Sequence, residues 1–273
     1  MTVWLVFYNL DDGPTAAFER FSAIYFTMLL YELLPFCYMS FYVWDRKFFL
    51  SDRASGLYAT SAYYAAHMAA SLPFVVVNTL CGALAAYGFA GLRYTPAAIV
   101  LFGIILVLQS LIAIQILVFC VYVSSDQDIA YVLATGYVGL SILLSGVFVR
   151  PSQLKIPPLL WLSYISYPRW AFQGLAWNEM SGIVYPPGAN CIVPSMPGAS
   201  PTQIRQAMSN PQLAQQAVPE GFSCVPSSTG DQILSFWELS LTAWESIAIL
   251  AGVYIFFHVI SYAALTLLHR QKR

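Results

Sequence analysis

"YTPAAIVLFGIILVLQSLIAIQILVFCVYVSS", Tyr94 to Ser125, contains no Asp, Glu, Lys or Arg. A helix needs about 20 apolar residues, at roughly 1.5 Å of rise each, to cross the hydrocarbon core of a bilayer. This run exceeds that length. Three more charge-free runs surround it: the residues between Arg53 and Arg93, Ile129 to Val149, and Ser246 to Leu268. A fifth, Phe21 to Trp44, carries a single charge, Glu32. The whole chain agrees, since 59% of its 273 residues are hydrophobic and 9% charged, with a mean hydropathy of +0.65. A soluble domain carries about 25% charged residues. The reading is an all-α membrane protein, and the net charge of −1 points to no nucleic acid partner.

The opening "MTVWLVFYNL" (1–10) is uncharged but only half a span long, and it lacks the basic region and cleavage site of a signal peptide. It reads as the remnant of a first transmembrane helix. Residues 19–149 then hold helices 2–5, 150–241 an outer segment, and 242–273 the last helix with a basic tail.

Lys and Arg are enriched on cytoplasmic flanks. The densest basic sites are "DRKFFLSDR" (Asp45 to Arg53) and "HRQKR" (His269 to Arg273). Crossings at about 57–91, 97–122, 129–149 and 244–268 place both on one side and the 150–241 segment on the other. Within that segment, "RPSQLKIPPLLWLSYISYPRWAFQGLAWNEM" is broken by Pro151, Pro157, Pro158 and Pro168. Its apolar stretches are too short to cross, so a re-entrant or interface-lying pair of helices is expected. From Pro186 to Ser228 the composition is loop-like. One short helix is expected there, with Ser200 as N-cap, Pro201 at its first position and Gln203 completing a capping box. Cys191 and Cys224 flank it and can form a disulfide if the segment faces an oxidising compartment.

Common NTPase, hydrolase and zinc-protease signatures do not occur. Ser152 and Lys155 fit S-x-x-K without its companion motifs. His67, His258 and His269 are too scattered for a metal site. No catalytic residue and no metal site are expected. Glu32 is the outstanding intramembrane charge, a functional hypothesis by default; it either faces a cavity or partner helix, or stays protonated and bonds a neighbouring hydroxyl. Gly136-x-x-Gly139 permits close helix approach, either within one subunit or to leave room for a ligand.

These residues resemble a known family. "WDRKFFLSDRASGLYATSAYYAAHMAASLPF" (Trp44 to Phe74) is similar to the loop and following helix of G-type (white-like) ABC transporters. "LLSGVFVRPSQLKIPPLLWLSYISYPRWAFQGLAWNEMSG" (Leu143 to Gly182) looks like that family's fifth span, re-entrant outer helices and Y-x-R-[YW] … N-E-[FM] segment. With the outer loop and the basic-ended last span, the likeness covers nearly the whole chain.

The resemblance implies a six-helix ABC-2 type exporter bundle, its first helix truncated, with re-entrant outer helices and a disulfide-tied extracellular loop. It implies pairing with a nucleotide-binding domain and with another half-transporter, as a homodimer or heterodimer. ATP and Mg would bind that nucleotide-binding domain and not this chain, which is not itself an enzyme. The cargo would be a lipid, sterol or other apolar or amphipathic molecule, and the membrane the plasma membrane.

By position, the resemblance implies a substrate cavity lined by Phe26, Leu33, Val132, Thr135, Gly136 and Gly139, closed by a plug of Val147 and Phe148. The loop 45–58 would be the coupling element, through Asp45, Arg46, Lys47, Phe49, Asp52 and Arg53. Tyr167, Arg169, Trp170, Asn178 and Glu179 would form the outer re-entrant element, with Arg169 and Glu179 reaching water or each other. The chain departs from the family pattern at Ser51, His67 and Ser71, and Glu32 adds a charge near the cavity. A second reading is a truncated, non-transporting membrane partner that regulates full-length relatives.

Overall fold

The computed structural model describes residues 6–8, 10, 16–153, 155–185 and 228–268. The described elements are helical, apart from a two-residue antiparallel ladder, β1 (Val184–Tyr185) with β2 (Ser228–Thr229). Helix α1 (Ala16–Leu33) passes through a 3-10 turn (Leu34–Tyr38) into α2 (Met39–Ala54). Pro35 sits in that turn, and proline removes a helical hydrogen bond and kinks the axis. The run Phe21 to Trp44 is therefore one apolar rod with a joint in its middle.

Helix α3 (Thr60–Ala90) ends at Gly91, whose φ of +64° makes it a left-handed C-cap. Helix α4 (Pro96–Val123) starts with Thr95 accepting from the Ala98 amide and with proline in its first turn, both N-terminal signals. Helix α5 (Gln127–Leu143) stops short of the expected 149, because the chain turns at Leu144–Ser145 and takes φ +88° at Gly146. At about 1.5 Å per residue α5 is roughly 26 Å long, at the short end of what crosses the hydrocarbon core.

Two short helices follow, α6 (Pro157–Ile165) and α7 (Tyr167–Met180), each opened by proline. Helix α8 (Gly230–Phe236) carries a capping box between Thr229 and Gln232. In α9 (Ala243–Leu268), Glu245 accepts from the Thr242 amide and hydroxyl while Thr242 caps the Glu245 amide. Among the described residues, four segments are long and apolar enough to cross a membrane: 17–54, α3, α4 and α9. The protein is an integral, multi-pass membrane protein.

The central element is α4. Phe102, Ile105, Leu106, Ile112 and Val121 are fully buried along it, and α9, α3 and α7 lie against it, α9 most extensively. Helix α7 is buried almost along its whole length between α4, α9 and α1. A Cβ on Gly174 would stand 2.7 Å from the Ser246 Cβ. Helices gain little from water exclusion inside lipid, so such close backbone approach is what brings van der Waals packing into play.

Candidate functional site

The residues assigned to the cavity lie on the outside of the chain. On α1, Phe26 and Leu33 are 46% and 47% exposed, and on α5 Val132 is 72% exposed. Thr135, Gly136 and Gly139 are exposed too, and a Cβ on either glycine would meet no atom within 4 Å. Val147 is half-buried and Phe148 exposed. Tyr25 connects the two groups: its ring meets Phe148 edge-on at 5.4 Å and Phe26 at 5.9 Å. A cavity of about 210 Å³ brings Phe26, Val147 and Phe148 together with Phe21 and Trp237. Leu33 and the α5 residues stand outside that cavity, on the same class of open surface. The foot of α5 is tied to the jointed helix by Phe36 stacked on Tyr131 and by Gln127 donating to Ser40.

Glu32 points the other way. It is 1% exposed, and Gln109 of α4 donates to its Oε2 at 3.3 Å while also donating to the Met28 carbonyl at 3.1 Å. The fully buried Tyr167 hydroxyl lies next to Glu32 without closing a hydrogen bond of ordinary geometry. Glu32 thus ties α1 to α4 inside the chain and does not join Phe26 and Leu33 on the open surface.

The coupling segment divides into two faces. Arg46 is buried, and its guanidinium donates to the carbonyls of Val121, Ser124 and Ser125, the last at 2.8 Å. These are the acceptors at the C-terminal end of α4, where cations are stabilised. Phe49 is fully buried and stacks on Tyr63 at 4.1 Å. Asp45 accepts from Tyr63 and from His67, the latter at 3.0 Å, and Asp52 accepts from Tyr58 at 2.9 Å. Arg53 is partly buried. Lys47 and Phe48 are left exposed, with Lys47 over the Trp44 ring. Arg46 and Phe49, expected as contact residues, instead hold α2 to α4 and α3.

The outer element corrects one expected pairing. Arg169 and Glu179 are both buried and do not meet. Arg169 donates to Ser163 at 2.7 Å and lies over the Tyr164 and Trp170 rings. Glu179 pairs with Arg20 of α1 and accepts from the Arg93 amide on both oxygens at 3.0 Å. Burial pushes the Glu179 carboxyl above its ordinary range, against the opposing pull of the Arg93 amide and Arg20. Arg93 also donates to the Ser181 carbonyl, and Asn178 to Tyr87 and to the Ala98 carbonyl. Tyr167 is fully buried and Trp170 half-buried. The segment is wedged into the bundle and fixes α1, α7 and the α3–α4 turn to one another.

Arg20, Arg93, Gln109, Tyr63 and Asp45's neighbour His67 are the residues that the sequence did not single out for these contacts. Gln109 and His67 carried a local signal, as polar side chains inside charge-free runs. Cys191, Cys224 and the short helix expected from Ser200 lie outside the described residues.

A family model described as ABC-2 type transporter matches residues 1–180. ABC transporter G family member 6 of Dictyostelium discoideum is 24% identical over 268 residues, covering 95% of this chain and 16% of that protein. ABC-type transporter cns4 of Cordyceps militaris is 25% identical over 247 residues, covering 89% of this chain and 17% of that protein. The broad substrate specificity ATP-binding cassette transporter ABCG2 of Sus scrofa is 23% identical over 191 residues, covering 70% of this chain and 29% of that protein. The chain spans well under a third of the length of each of these curated relatives. With the match extending over residues 1–180 of 273, the chain belongs to the ABC-2 type transporter family.

Proposed function

We propose that this chain forms the membrane-spanning part of an ATP-driven exporter of lipid, sterol or other apolar or amphipathic molecules, paired with a second half-transporter. The observation that carries the reading is the placement of Phe26, Leu33, Val132 and the open glycines Gly136 and Gly139 on the outer surface of the chain. A cavity walled by outer surfaces is complete only when a second subunit faces it. Phe148 beside Tyr25 and Phe26 then stands at one end of that cavity as the plug.

ATP hydrolysis belongs to a nucleotide-binding domain outside the given sequence, docked on the exposed Lys47–Phe48 edge of α2 and the following turn. Transport is a rocking of two bundles, with cargo affinity differing between inward- and outward-facing states. Helices α6 and α7, carrying interface-suited Trp and Tyr, are the re-entrant cap on the outer side. The names of the relatives, which include an ATP-binding cassette transporter of broad substrate specificity, support a transport role, and the exposed apolar side chains of Phe26, Leu33 and Val132 support an apolar cargo. The plasma membrane is the proposed site.

The test joins the chain to an ATPase half and measures ATP-stimulated export of an apolar panel from vesicles. Phe26→Ala and Phe148→Ala should change selectivity or ATP coupling more than expression level. Unchanged transport in both variants removes the cavity assignment, and a cysteine at Val132 that forms no cross-subunit link removes the pairing.

A further inference from the structure

A cavity of about 490 Å³ lies between the jointed helix, α3 and α4, and none of the residues assigned to the exporter cavity lines it. Its volume is that of a small-molecule site. The lining follows α3 from Tyr63 to Thr79, which at 1.5 Å per residue is about 24 Å of length. Volume spread over that length suits one elongated molecule and not a rounded one. The walls are mostly apolar, among them Leu34, Pro35, Phe74 and Ile114; Asp45 and His67 stand toward one end and Asn78 and Thr79 at the other, with Ser71 midway along α3.

At the Tyr63 end stands Asp45, the one acidic or basic lining residue besides His67. Tyr63 and His67 both donate to its Oδ2. Its Oδ1 accepts no hydrogen bond among the described residues. Neighbouring cations are engaged elsewhere: Arg46 holds the end of α4, and Lys47 lies over Trp44. Both donors share Oδ2, so the carboxylate offers one open acceptor at the head of an apolar channel. The Asp45 side chain is 29% exposed, so this acceptor is within reach of a cationic head group, which a carboxylate binds through a charge-assisted hydrogen bond.

We propose that this channel binds a single elongated amphiphile with an ammonium head, the head on Asp45 and the tail along α3 toward Asn78 and Thr79. The site is separate from the exporter cavity and does not depend on that reading.

The probe is a long-chain alkylamine bearing a diazirine in its tail, with the matching alcohol as neutral isostere. Each is photolinked to the full chain in phosphatidylcholine nanodiscs and the adducts are mapped by mass spectrometry. Amine adducts should fall on α3 between Ala66 and Asn78. A hydrogen bond to a charged group accounts for roughly tenfold to a hundredfold in affinity. Asp45→Asn should therefore raise the half-saturating amine concentration by about that factor and leave the alcohol unchanged. Ala70→Trp, at an exposed lining position, should block both probes and answers the question even where Asp45→Asn folds poorly. Phe148→Ala should leave labelling intact, which separates this site from the exporter cavity. Equal labelling by amine and alcohol, undiminished amine affinity in Asp45→Asn, or adducts unaffected by Ala70→Trp would each overturn the proposal.

Discussion

Replacing Glu179 by Ala removes one half of a buried ion pair whose other half, Arg20, is 6% exposed. Breaking such a pair from one side costs about 3–5 kcal/mol, because the remaining buried charge loses its carboxylate partner. The Arg93 amide, which both carboxylate oxygens accept, is left unpaired and adds about 1–3 kcal/mol. Some relaxation of the long Arg20 side chain offsets part of the sum, so about 3–5 kcal/mol is the working figure. At roughly 2–4 °C per kcal/mol for a chain of this size, the thermal midpoint should fall by about 6–20 °C. Tryptophan fluorescence of the purified protein in nanodiscs reads this directly. The double variant Arg20→Met, Glu179→Leu should regain most of the loss, since an apolar pair of similar volume replaces a buried ion pair at little cost. A shift below about 2 °C for Glu179→Ala, or a double variant less stable than the single one, refutes the reasoning.

Gly174→Ala should destabilise by about 1–3 kcal/mol through overpacking, because its Cβ would come within 2.7 Å of Ser246. Gly139→Ala, with open space around it, should be neutral or up to about 1 kcal/mol stabilising in the isolated chain; the same fluorescence melt compares them. Arg46→Met should lower stability by about 1–3 kcal/mol by stranding the carbonyls of Val121, Ser124 and Ser125, and uncouple ATP turnover from export in the complete transporter, measured by the two rates side by side. Cys191 and Cys224 should resist thiol labelling until reduced, and free labelling of either disproves their pairing.

Three helices were legible almost to the residue. The charge-free runs gave 57–91, 97–122 and 244–268, against Thr60–Ala90, Pro96–Val123 and Ala243–Leu268, because lipid demands continuous apolar helix and Gly91, Thr95 and Thr242 mark the ends. The outer pieces were legible through their prolines, which open α6 and α7. The early stop of α5 was not, since Leu144 and Ser145 are as apolar or small as the helix before them and only Gly146 hints at the turn.

Side-chain partners were the least legible. Glu179 meets Arg20, 159 positions away, and not Arg169 ten residues before it. On α7 those two residues are separated by about 15 Å of helical rise, and packing rather than nearness in the chain selects the partner. The same holds for Arg46, whose neighbours in sequence suggest a docking surface while its acceptors lie on α4.

The clasp of Arg46 on the end of α4 has a mechanical consequence. Through Arg46, the helix that exposes Lys47 and Phe48 is held to the central helix, along which α9 and α7 are packed. On the other side of the joint at Pro35, Glu32 holds α1 to that same helix and Arg20 holds it to α7. Both halves of the jointed rod are thus anchored to one packed body, and a change of angle at the joint has to be taken up by these two clasps.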